Sequence, residues 1–202
     1  MFRWIDNIRI GVKLFSLIFL LITFLVVGSL LGLLGMESVQ SNYNTALDLE
    51  NKIGSALQMT LYIEEQYLHQ ADYVINQNPD AITNFESAVE KMDVAKEDLR
   101  AAMETDVELA WMAQIDGYDE KFNKLFFDSI IPAVATGDPE FISRLDERSV
   151  SILNGMLSVT DNIIESLENE ITAARQIADE GKQDISTIMI IGSAFAIVVG
   201  LF

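Results

Sequence analysis

The sequence predicts an all-α protein: an antiparallel, up-down-up-down four-helix bundle whose outer helices continue into two transmembrane helices. Three observations predict it. Both ends of the chain are long apolar stretches without charge, the interval between them repeats hydrophobic residues at helical spacing, and three short breaks cut that interval into four. Of the 31 acidic residues, all but Asp6 lie between residues 37 and 184. With 50% hydrophobic residues and a net charge of −18, a mean hydropathy of +0.25 is too apolar for an ordinary acidic globule.

Residues 1–13 form a short basic segment. From Leu14 to Met36 no residue is charged, and a helix of that length spans roughly 34 Å, enough for a hydrocarbon core of about 30 Å. A cleaved signal peptide has a shorter apolar run and an A-x-A-like site, and the stretch matches neither. Arg3, Arg9 and Lys13 against Asp6 place the N-terminus on the cytoplasmic side. Residues 37–184 are then an extracytoplasmic domain whose acidic surface repels nucleic acid and anionic headgroups.

The first bundle helix continues from the membrane helix, with an apolar stripe through Val39, Tyr43, Ala46, Ile53, Leu57, Leu61, Leu68 and Ile75. It ends before Asn78, an N-cap residue followed by Pro79 at a first helical position. The second helix has the clearest heptad, Ile82, Phe85, Val89, Met92, Lys96, Leu99 and Met103. A tight turn at Glu104 to Asp106 starts the third, which carries Trp111, Ile115, Tyr118, Phe122 and Leu125 and is expected to kink near its end at Pro132. Gly137, Asp138 and Pro139 read as C-cap, N-cap and first residue of the fourth helix. Its stripe runs through Ile142, Leu145, Ile152, Met156, Val159, Ile163, Leu167, Ile171, Ala174 and Ile177, with Gly181 as a flexible point.

The outer helices, about 39 and 45 residues long, should project roughly 15 to 20 Å beyond inner helices of about 26 and 30. Residues 185–202 form the second span. No charged flank closes it, so the sequence reads as a piece of a longer protein. Gly28 and Gly32 in the first span, and Gly192, Ala196 and Gly200 in the second, permit close helix contact, and a dimer packed through the first helix follows as one reading. Cysteine is absent, which excludes disulfides and zinc-thiolate sites.

The basic N-terminus with Trp4, Asn7, Ile10, Lys13 and Leu14, then span, bundle and span, resembles the four-helix-bundle sensor region of bacterial methyl-accepting chemotaxis proteins. Such sensors also occur on some histidine kinases and diguanylate cyclases. The resemblance implies a homodimer in the bacterial inner membrane, with a periplasmic or extracellular domain that takes a small-molecule ligand or a periplasmic binding protein. Ligand binding between the first and fourth helices would shift the fourth helix axially. Cytoplasmic signalling proteins would be reached through a downstream region. Aspartate-sensing members use arginines of the first helix, where this chain has only Lys52 and His69. The alternatives are an input domain of a histidine kinase or cyclase, and a membrane-anchored structural protein without a ligand.

At the membrane-distal end, Tyr62, Glu64, Glu65, Tyr67, His69 and Asp72 should lie level with Arg144 and Arg148. The two arginines, one turn apart, suit a carboxylate ligand; the simpler reading is ion pairing with neighbouring acids. Glu65, His69 and Asp72 share a face and suit a divalent metal, but a lone histidine among acids is ordinarily solvated surface, so neither a metal nor another cofactor is expected. Glu64 falls within the apolar stripe, where an unpaired carboxylate is costly; it would face a partner subunit, a ligand cavity or, most simply, the edge of the stripe. The aromatics Trp111, Tyr118, Phe122, Phe126 and Phe127 read as core. No phosphate loop, catalytic triad or supported acid–base pair is present, and no enzymatic activity is expected.

Overall fold

The computed structural model describes the backbone of residues 10–200. Arg3, Trp4, Asp6, Asn7 and Arg9 lie outside the described residues, as do the side chains of Ile10, Lys13, Leu14, Ala196 and Gly200. The described residues form helices and turns and no strand, so the protein is all-α. Helix α1 runs Ile10–Asn76, α2 Asp80–Ala102 and α3 Asp106–Leu125; a π-helical segment, Phe126–Ile130, leads into α4, Ile131–Thr136, and α5 covers Pro139–Gly200. The chain divides into two compact units, one comprising Asp48–Ile171 and the other Met1–Leu47 with Thr172–Phe202.

Each break has a local cause. Asn78 Oδ1 accepts the Asp80 N–H at 3.1 Å, so the asparagine caps α2 although the helix counts from one residue later than the sequence predicts. Between Ala102 and Asp106 a full capping box forms: Thr105 Oγ1 accepts the Glu108 N–H at 3.2 Å, and Glu108 Oε2 accepts the Thr105 N–H at 2.8 Å. That box starts α3 without help from proline or glycine. Near Pro132 the helix widens into a π turn. Proline offers no N–H to the carbonyl four residues back, and the Ile131 N–H reaches to Phe126 O instead. Gly137, at φ +72°, closes α4 in the left-handed region, and Asp138 Oδ1 accepts the Glu140 and Phe141 N–H groups, both at 3.1 Å.

In the unit Asp48–Ile171, α2 and α3 run antiparallel, since Phe85 meets Phe126, Lys96 meets Asp119 and Arg100 meets Asp116. Phe85 stacks on Phe126 at 4.0 Å and on Phe122 at 6.0 Å. Phe122 and Phe126 are core, as the sequence predicts, whereas Phe127 is 36% exposed. The α2 heptad is met at five of its seven positions: Phe85, Met92, Lys96, Leu99 and Met103 are buried, whereas Ile82 and Val89 are half-buried and the neighbouring Ala81 and Ala88 are buried. Met156, Ile163 and Leu167 of α5 are fully buried. Each such side chain contributes about 1.5–3 kcal/mol relative to exposure.

The stripe on α1 differs from expectation. Leu57, Leu61, Leu68 and Ile75 are 50%, 57%, 62% and 76% exposed, while Ala56, Met59, Ile63, Gln66 and Gln70 are fully buried. The chain buries the more polar of the two faces and leaves the leucine face open. On α5, Ile177 is likewise exposed, and Ala178 is the buried residue.

In the terminal unit the glycines act by close approach. A Cβ on Gly35 would come within 2.6 Å of Ile185, one on Gly192 within 2.9 Å of Phe24, and one on Gly181 within 3.1 Å of Val39. Gly181 therefore sits inside α5 as a position of close approach to Val39. Gly28 and Gly32 face open space and line an apolar groove with Leu33, Ile188 and Met189. From Ile18 onward the described residues include one helix, α1, long and apolar enough to cross a membrane, with none of its apolar window buried.

Candidate functional site

The structure joins α1 to α5 at the level the sequence predicts, through one of the named residues. Tyr67 Oη donates to Asp146 Oδ1 at 3.5 Å, and burial together with that carboxylate holds the Tyr67 phenol above its ordinary pKa. Arg144 instead pairs with Glu140 on its own helix at 3.4 Å and lies over the Phe141 ring. Arg148 is exposed. Among the described residues no ion pair or hydrogen bond brings either arginine to Tyr62, Glu64, Tyr67 or His69. Tyr62 lies under the Lys91 ammonium, which also pairs with Glu65 at 3.5 Å. Glu64 is exposed on the open face of α1. Asp72 accepts hydrogen bonds from Asn76 at 2.6 Å and Asn78 at 3.0 Å, which lower its pKa. Glu65 and Asp72 are thus engaged in pairing and turn geometry, and the described residues hold no group of three metal-ligating side chains.

The polar chemistry lies deeper, in residues outside the predicted site, of which only Lys96 stands in a predicted core stripe. Gln66 and Gln70 of α1, Lys96 of α2, Asp119 of α3 and Ser149 of α5 are all buried. Ser149 Oγ donates to Gln70 Oε1 at 3.1 Å and also reaches Leu145 O. Lys96 Nζ lies 2.5 Å from Asp119 Oδ2, 2.7 Å from Asp93 and 3.9 Å from Asp116. Burial disfavours the Lys96 charge, but hydrogen bonds to Asp119 and Asp93 outweigh it and raise the pKa. Asp119 receives only a share of that ammonium. Burial holds its carboxyl above the usual carboxylate range, against the opposing pull of Lys96. Acidification therefore protonates Asp119 while Lys96 stays charged.

Four polar atoms of this layer have no hydrogen-bond partner: Nε2 and Oε1 of Gln66, Nε2 of Gln70 and Oδ1 of Asn123. Buried polar groups are ordinarily paired, and these four lie on facing helices of one interior. Gln66 lies against Asp119 closely enough to lower its proton affinity, yet outside hydrogen-bond geometry. The signal that locates these residues is the alternative stripe on α1, Met59, Ile63, Gln66 and Gln70, whose steps of four, three and four match the leucine stripe. Choosing the more hydrophobic stripe hides them. No family model, curated protein or solved structure matches this chain.

Proposed function

We propose that this chain is the sensory front end of a transmembrane receptor of the chemoreceptor kind: a four-helix bundle outside the membrane that detects a signal and passes it through α5 to a second span. In this reading α1, α2, α3 with its π-helical extension, and α5 pack up-down-up-down, and the apolar parts of α1 and α5 cross the lipid. The observation that carries it is α1 itself, which holds an unburied apolar stretch and an acidic-region stretch in one unbroken helix. A leucine-rich stretch with no protein cover has lipid as its natural solvent. A continuous helix across that boundary offers a route for an axial displacement.

The receptor functions as a homodimer. Leu57, Leu61 and Leu68 are exposed at a and d spacing along α1, in phase with Gly54 and Ile75, the pattern of a seam that packs against another helix. A second copy of α1 supplies a matching seam about a two-fold axis.

Because the sequence has no cysteine, single cysteines report topology without background. Introduced at Asn162 in intact cells, a cysteine should react with a membrane-impermeant maleimide; labelling only after lysis would place the acidic region in the cytosol and defeat this reading.

A further inference from the structure

The buried polar layer has the makings of a ligand site within one protomer. Gln66 and Gln70 stand one turn apart on the buried face of α1, and Asp119 and Asn123 stand one turn apart on α3. Gln66 lies against Asp119, and Tyr73 packs edge-on against Phe126 at 6.0 Å. The sequence separation is the same in both pairs, and it places Gln70 level with Asn123. The four unpartnered atoms therefore belong to two adjacent turns of the same interior. Two are amide nitrogens that donate, and two are carbonyl oxygens that accept.

The remaining groups define what such a site takes. Asn123 Nδ2 is directed to Asp119 Oδ1 at 3.4 Å, and Gln70 Oε1 is occupied by Ser149. The buried charges, Lys96 and Asp119, offset one another. No net charge remains in the layer to attract an ion, and a buried ion without a counter-charge is strongly disfavoured. What the four atoms lack is a compact neutral partner with donor and acceptor on one edge. The α1–α5 side of the layer is bridged by the 3.5 Å Tyr67–Asp146 bond and the 3.1 Å Ser149–Gln70 bond.

The geometry points to a binding site for a small uncharged amide-like molecule, contacted by Gln66, Gln70 and Asn123. The inference deepens the sensing function and rests on it for its purpose, although its binding test does not depend on membrane topology.

The probe is propionamide, titrated into the full chain in nanodiscs and followed by thermal unfolding, with propionate and propylammonium as charged counterparts of the same size. The melting temperature should rise saturably with propionamide and stay flat with both ions. Gln66→Met, which keeps length and burial, should weaken apparent affinity roughly tenfold to a hundredfold, whereas Arg144→Ala/Arg148→Ala should leave it unchanged. If Gln66→Met does not fold, Asn123→Leu carries the same expectation. A flat propionamide response, equal affinity in the variants, or nuclear Overhauser contacts from the Gln66 amide to ordered water only in saturating propionamide would each overturn the site. Failure here with extracytoplasmic labelling at position 162 removes the site and leaves the receptor reading; cytosolic labelling removes the receptor reading instead.

Discussion

The two faces of α1 between Gly54 and Ile75 invert the usual division of labour. The inner face is built from Ala56, Met59, Ile63, Gln66 and Gln70, all fully buried, while the outer face presents Leu57, Leu61 and Leu68, each at least half exposed. Two glutamines go inside and three leucines stay outside. A single-helix rule that puts leucine in the core fails here because α1 carries two seams of nearly equal period, and only one can face α2, α3 and α5. The difference teaches that the inner seam exchanges some hydrophobic stabilisation for a polar interior; under the proposed dimer, the outer seam is the face that meets a second copy.

The sharpest way to break this comparison is the same substitution on either face. Ile63→Asp buries an unpaired carboxylate and should unfold the protomer, a loss of more than about 4 kcal/mol. Leu61→Asp should change protomer stability by no more than about 0.5 kcal/mol, yet weaken dimerisation by roughly a thousandfold, since two copies each lose a leucine contact. Circular dichroism melts and analytical ultracentrifugation in detergent separate the two effects. Similar melts for both variants would mean that the faces are not distinct.

The inner seam also depends on the α2–α3 core. Phe85→Ala removes the ring between Phe122 and Phe126 and should cost about 3–5 kcal/mol, read as a lowered unfolding midpoint in urea. Lys96→Met leaves Asp119 buried without its partner and should cost about 3–5 kcal/mol at neutral pH. The double variant Lys96→Met/Asp119→Leu should recover most of that loss.

The pH dependence of the same layer has a definite sign. Because burial raises the folded-state pKa of Asp119, the folded protein holds that proton more tightly than the unfolded chain. The contribution of Asp119 to stability is therefore present in acid and lost as pH rises from the ordinary carboxylate value through the raised one. Asp119→Asn should remove this component from the stability profile. The capping box behaves oppositely. Burial pushes the Glu108 carboxyl up, but hydrogen bonds from Thr105 and Glu104 outweigh it and lower the pKa. Its stabilisation is present above the ordinary glutamate value and lost as pH falls through the lowered one. Thr105→Ala should cost about 1 kcal/mol at neutral pH. In urea melts, Glu108→Gln should differ from the parent most near neutrality and converge with it in acid.

Much of this architecture was legible in the residues. Asn78, Thr105, Gly137 and Asp138 mark the breaks because capping chemistry is local, and Phe85, Met92 and Leu99 mark a core stripe without a competing pattern. The site was less legible. Tyr67 lies level with the Arg144–Arg148 turn, where it reaches Asp146, but Arg144 pairs with its own Glu140. Gln66, Gln70 and Asp119 were invisible because polar residues on a helix read as surface until the partner helices fix which face turns inward. Gly181 reads as a flexible point because its close approach to Val39 is a tertiary fact. At Pro132 the sequence predicts a kink, and the structure has a π segment before it.

The outer seam is tested most directly by cysteine crosslinking in native membranes, on a background with no cysteine of its own. Cysteines at 57, 61 and 68 should form disulfide-linked dimers rapidly under mild oxidation, while one at the buried position 59 should not. Equal crosslinking at all four positions, or none at 57, 61 and 68, would contradict an α1 that keeps its leucine face for a second copy.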